Sequence, residues 1–279
     1  MDEIRIHTLR RELPKFGLEH RAELILGAAR NAIRLRASDG DGKGVDGSRL
    51  GGGAALPKGM QWPTWKGRPQ ALLAQIVLAE AAALDSDCVL PTSGRLLFFY
   101  DSEQETWGFD PADRGSWSVA FVETDQPTEP FVDPGFFRSV PLSLKAEIDL
   151  PPWESLWFES CGLEGDEVDR YMDLRTHVSG GDLIHKLLGY PDPVQNEMQT
   201  ECQLVSNGIY CGDADGYRSA RAEALRPGAA DWRLLLQVDS EEDRAGMMWG
   251  DVGRVYFWIR DQDLRMRNFD AVWCILQCC

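Results

Sequence analysis

The run His185-Lys186-Leu187-Leu188-Gly189-Tyr190-Pro191-Asp192-Pro193-Val194-Gln195 holds the residue types best suited to shaping a ligand site. Its prolines fix φ, its glycine permits close approach, and polar side chains stand at both ends. His185 is the group there most able to change charge near neutral pH. Two readings follow. Either this is a buried turn whose His and Gln satisfy backbone groups, as buried polar atoms must, or it belongs to a ligand or partner surface. Gln75 and Gln237 pose the same choice, because each sits inside an apolar run. Trp249-Gly250-Asp251 adds an aromatic ring and a carboxylate. Ligand sites favour concave junctions with a few convergent polar groups. The expectation is therefore that His185, Gln195, Gln75, Gln237, Trp249 and Asp251 line one cleft. The competing account makes them a satisfied polar network.

Other constellations fall short of chemistry. His177, His185, Cys202 and Cys211 are spaced too loosely for the tight ligand pairs of a zinc site. Gly42, Gly44 and Gly47 spell a dinucleotide fingerprint, but no strand precedes them. Asp39, Asp41 and Gly44 mimic a calcium loop, yet Lys43 and Leu50 take two ligand positions. No G-x-S-x-G, H-E-x-x-H or Walker motif occurs. No catalytic residue, metal or cofactor is assigned.

These residues need a scaffold, and the sequence predicts one. Apolar steps of three and four from Leu18 to Ile33 predict a helix over 17–36. Residues 38–53 are glycine-rich and read as a surface loop. Strands are expected at Leu72–Leu78, Arg95–Tyr100 and Trp117–Glu123, then at Arg233–Val238, Arg254–Arg260 and Phe269–Gln277. Residues 154–173 carry seven carboxylates and one arginine, and an exposed acidic helix is expected near 166–178.

The two sets of strands resemble each other. LLAQIVLAE, GRLLFFYD and SVAFVET recur in order as LLLQVDSEE, GRVYFWIRD and AVWCILQ. Gln75 and Gln237 hold the same place, and Gly94-Arg95 and Gly253-Arg254 open the second strand of each set. The fold class expected is α+β: two degenerate copies of a largely antiparallel unit, near 50–125 and 185–279, in a single domain over 1–279 with peripheral helices.

Charge narrows the partners. The formal charge is −16, from 45 acidic and 29 basic residues. That argues against nucleic acid and against an anionic membrane surface, both of which need clustered Lys and Arg. It permits a basic protein, for which Glu164, Asp166, Glu167 and Asp169 offer an acidic face. No apolar run reaches the roughly 20 residues of a membrane span. Seven cysteines without C-x-x-C pairing, behind a polar N-terminus, read as reduced thiols in a cytoplasm.

Specific stretches carry a family resemblance: GGGAALP followed by Trp62-Pro63, LLAQI at 72–76, LPTSGRLLFFY at 90–100, HKLLGYPDPVQNEM at 185–198, LLLQVD at 234–239 and WGDVGRVYFWI at 249–259. In these the chain resembles the YwqG-like family, a bacterial domain of unknown function. The resemblance implies an α+β fold with an internal pseudo-repeat and supplies no reaction, cofactor or catalytic residue. Some relatives are associated with toxin-defence gene neighbourhoods. The function expected is thus a binding protein, in the form of a cytoplasmic immunity or toxin-neutralising factor. The alternative is an enzyme or small-molecule binder using a cleft between the two units.

Overall fold

The six expected strands form the two outer thirds of one large sheet. The computed structural model describes residues 2–38, 46–179 and 185–279. Its strands are β1 (Arg30–Ala37), β2 (Arg49–Leu50), β3 (Thr64–Trp65), β4 (Arg68–Pro69), β5 (Ala71–Val77), β6 (Arg95–Tyr100), β7 (Trp117–Val122), β8 (Val140–Asp149), β9 (Lys186–Leu188), β10 (Trp232–Asp239), β11 (Arg254–Arg260) and β12 (Trp273–Gln277). β3 and β4 make a small ribbon. The other ten pair antiparallel in the order β12-β11-β10-β9-β1-β8-β2-β5-β6-β7.

Strands such as β6 (RLLFFY) and β11 (RVYFWIR) are apolar on both faces because both faces are covered. One face fills the inside of a sheet that nearly closes on itself. Phe98 and Phe257, far apart in strand order, meet edge to face at 5.1 Å. The two edges also approach each other. Trp117 of β7 lies 4.8 Å from Trp273 of β12 and donates its indole N–H to the Val272 carbonyl at 2.9 Å. On the other face, Leu72, Leu97 and Phe99 pack under Leu56 and Trp62.

The helices are α1 (Glu3–Glu12), α2 (Ala22–Ala28), α3 (Leu78–Ala82), α4 (Leu156–Ser160), α5 (Asp166–Val178), α6 (Gln199–Val205), α7 (Ala214–Arg218), α8 (Ala220–Leu225), α9 (Glu242–Ala245) and α10 (Asp261–Arg265). α1, α2 and α5 share a separate core around Leu9, Ile25, Tyr171 and Leu174. Among the described residues, no helix is long and apolar enough to cross a membrane.

Two expectations are corrected. The helix over 17–36 ends at Ala28, and Arg30–Ala37 is a central strand paired along its whole length with β8. Its alternation of Ile33 and Leu35 with Arg34 and Arg36 fits a pleat as well as a helix face, and the long pairing partner decides. In the 38–53 loop, residues 39–45 lie outside the described residues. Residues 47–53, however, are buried and include β2. Their glycines allow a close crossing: a Cβ on Gly53 would overlap the Val132 carbonyl, and one on Gly51 the Arg138 carbonyl.

The two ends of the sheet share detail. β5 bulges at Leu73 and β10 at Leu235, each two residues before the glutamine. A buried cation faces each glutamine: Arg49 opposite Gln75, and Lys186 opposite Gln237. The opening glycines differ in cause. Gly94 takes a φ of +89°, whereas at the other end Val252 carries the positive φ, and Gly253 is small because Gln277 crosses against it.

Candidate functional site

Of the six residues expected in one cleft, Gln195 lines the cleft described below, while His185 and Trp249 meet on the Asp239 backbone beside Gln237. Gln75 is buried and donates to the Gly47 carbonyl at 2.9 Å. Trp249 is fully buried, packs on Tyr100 and Phe137, and donates to the Asp239 carbonyl at 3.1 Å. Asp251 is exposed on the turn before β11. His185 is fully buried: its Nδ1 accepts the Asp239 backbone N–H at 3.0 Å, and its Nε2 lies 3.6 Å from Glu241. An Nδ1 that accepts puts a proton on Nε2, toward Glu241, and the ring splices the start of β9 to the end of β10.

Gln237 belongs to a buried ionic cluster. Lys186 Nζ stands 2.8 Å from Asp192 and 3.2 Å from Asp149. Arg175 reaches the other Asp192 oxygen at 2.8 Å. The Asp192 N–H donates to Gln237 Oε1 at 2.8 Å, while Tyr256 and Arg254 donate to its carbonyl. Burial pushes the Asp192 carboxyl up, but Lys186 and then Arg175 outweigh it and hold it well below the usual range. The 185–193 turn is thus fastened to the sheet by paired charges, while Asp149 Oδ1 and His185 Nε2 are buried without a hydrogen-bond partner among the described residues.

Gln195 leads elsewhere. Its side chain donates to the Cys278 carbonyl at 2.8 Å, and it lines a cleft of about 930 Å³. The floor is the edge of β12, pinned to the loop between β6 and β7 by the Leu276 N–H bonding the Trp107 carbonyl at 3.0 Å. The walls come from the approach to α4, from α6 and from α7. Five lining residues are carboxylates (Glu154, Glu159, Glu197, Glu201 and Asp213), and five are aromatic (Trp107, Phe109, Trp153, Phe158 and Tyr217). Among the described residues, none lining the cleft is Lys, Arg or His. Trp153 at the rim is 59% exposed.

The helices hold these carboxylates in place. Both Glu197 oxygens accept the Thr200 N–H at 2.9 and 3.1 Å, closing the first turn of α6. Asp213 caps α7 by accepting from the Asp215 and Gly216 N–H groups. Glu201 has only the Tyr217 hydroxyl, at 3.4 Å, as a hydrogen-bond donor among the described residues. Burial pushes its carboxyl up to about 7, against a small opposing pull from Tyr217. Burial also raises Glu197, and it lifts the Cys211 thiol to about 12, which leaves that thiol neutral and weakly nucleophilic.

Sequence reasoning missed this site. Glu197 and Glu201 stand four residues apart, one just before α6 and one in its first turn, and that spacing was the available signal. The acidic stretch was read only as an exposed helix. α5 does span Asp166–Val178, but Glu167 is taken by Arg21 and His20, which pull it down to about 2.

The model of a family described as domain of unknown function (DUF1963) matches residues 48–278. That match takes in both outer thirds of the sheet and every residue named as lining the cleft. No curated protein matches the chain.

Proposed function

The chain belongs to the DUF1963 family, and we propose that it is a binding protein which takes a basic partner in the acid–aromatic cleft. One observation carries this reading: among the described residues, five carboxylates and five aromatic rings line about 930 Å³ with no Lys, Arg or His beside them. Aromatic faces and carboxylates both attract an ammonium or guanidinium group, and they do so more strongly where water is thinned. The chain's net charge of −16 adds long-range attraction for a basic protein. Neutralising a basic toxin in the cytoplasm is the form of this reading that the family resemblance favours.

A second reading has its own support. A carboxyl titrating near neutrality in a cavity is also what a general acid or base needs. It would make the chain an enzyme or a carrier of a small amine. Against it, the cleft offers no activated nucleophile, since its one thiol is held neutral.

We also read the two ends of the sheet as degenerate copies of one unit. The matched bulges at Leu73 and Leu235, the glutamines two residues on and the buried cations opposite them support that reading.

Calorimetric titration with N-acetylated, C-amidated tetralysine tests the function. Saturable binding is expected, weakening as salt is raised about tenfold, and lost when Glu197→Gln and Glu201→Gln are combined. Absence of binding, or binding indifferent to those substitutions, overturns the reading. Displacement of the peptide by n-butylamine at comparable concentration would favour the small-amine alternative.

A further inference from the structure

Within the cleft, Glu201 differs from its neighbours in what it is bonded to. Glu197 and Asp213 spend their oxygens on backbone N–H groups at helix starts. Glu201 is half-buried on α6, and its one hydrogen-bond donor among the described residues is the Tyr217 phenol, at a long 3.4 Å. Among the described residues no cation lines the cleft; on the elements packed against α6, Arg226 spends its guanidinium on the Tyr217 carbonyl and Glu223, and Arg260 on Gln203 and Ser206. On Glu201's own helix is the Cys202 thiol, and just before the helix starts is Glu197. The 211–213 segment contributes Cys211 and Asp213, and α7 contributes Tyr217. Glu159 of α4 lies across the cleft, acting on Glu197. Cys202, Cys211 and Tyr217 are held neutral by burial first and by the nearby carboxylates after it.

We propose that the cleft takes an alkylammonium group, such as a lysine side chain, in exchange for a proton stored on Glu201. This rests on the cation-binding reading above and adds its regulation. In the free protein, the neutral carboxylic acid avoids placing a charge between Glu197 and the apolar wall. When the ammonium enters, its attraction favours the ionised carboxylate. The carboxylic O–H breaks, the proton leaves to solvent, and the pair Glu201-COO⁻···⁺H₃N–R remains. Charge balances, because one cation enters as one proton departs. The aromatic walls at Phe109, Phe158 and Trp153 then shield the pair from water. The partner is therefore held more tightly at higher pH and released on acidification.

The carboxyl's position at about 7 sets the size of the effect. About half a proton should leave per cation bound at pH 7, and affinity should rise about tenfold between pH 6 and 8, following the ionised fraction of the free carboxyl. Blocked tetralysine is the probe, since its side chains stay charged across this range. The full chain is titrated calorimetrically in two buffers of very different ionisation enthalpy. Buffer-dependent heat reporting proton release, and its loss in Glu201→Gln, are the expected results. Binding with equal heats in both buffers overturns the exchange while leaving the cation site standing. Release that persists in Glu201→Gln also overturns it, because the proton then comes from another group. No binding at any pH removes the cation site itself.

Discussion

Lys186 and Glu201 stand for two regions of this protein that use carboxylates in opposite ways. Around Lys186, Asp149 and Asp192 are drawn into the sheet against cations, and Asp192 is bracketed by Lys186 and Arg175 at 2.8 Å each. Around Glu201, five carboxylates face about 930 Å³ and, among the described residues, no cation lines it. In the first region each of these charges stands beside an opposite one, which fixes the 185–193 turn, and only single atoms such as Asp149 Oδ1 go without a hydrogen-bond donor among the described residues. The second is incomplete, and it becomes complete when a cation arrives from outside. Buried charge tends to be either structural and paired or functional and waiting, and completeness of pairing separates the two.

The largest expected effect attacks the paired region. Lys186→Met leaves two buried aspartates without their shared cation, and should cost about 3–5 kcal/mol in urea unfolding. A loss below about 1 kcal/mol would show that Arg175 and the backbone donors suffice, and would break the contrast. The same pairing sets an acid response. Asp192 is depressed in the folded state, so its stabilisation is fully present above the ordinary carboxylate range, near pH 4, and fades only as pH falls further.

Glu201 should respond in the reverse direction. Its folded-state carboxyl is raised to about 7, while in the unfolded chain it titrates near its ordinary value. Its contribution is therefore fully present below about pH 4 and lost as pH rises through 7. Glu201→Gln removes that loss, and should stabilise the protein by about 1–2 kcal/mol at pH 8 with little change at pH 4. Thermal melts of the variant and the parent at both values check this. Equal melting shifts at both would mean that Glu201 is already satisfied, which would erase the difference between the regions.

The smallest effect sharpens the comparison at the cleft rim. Trp153 is 59% exposed, so Trp153→Ala should change stability by no more than about 0.5 kcal/mol. It should weaken tetralysine binding about three- to fivefold through the lost cation–π contact. A variant that unfolds more easily yet binds normally would assign Trp153 to packing on Phe158 instead.

Much of the scaffold was legible in the residues. Arg95–Tyr100 and Arg254–Arg260 are strands over the expected bounds, and α5 begins and ends where its carboxylates and apolar face predict. Short apolar runs bounded by glycine or proline have few alternatives, and an amphipathic period is a local property. The paired glutamines were visible too, as positions if not as roles. Tertiary contacts decided the rest. Arg30–Ala37 is a strand because β8 and β9 flank it, a fact held by residues over a hundred positions away. His185 and Gln237 became structural, and Glu201 became the exceptional carboxylate, for the same reason. Whether a polar group is satisfied depends on its neighbours in space. The cleft gathers its walls from residues 107–109, 153–159, 195–201, 211–217 and 275–277. No local window contains them together, so the sequence alone fixes their charge and shape but not their meeting.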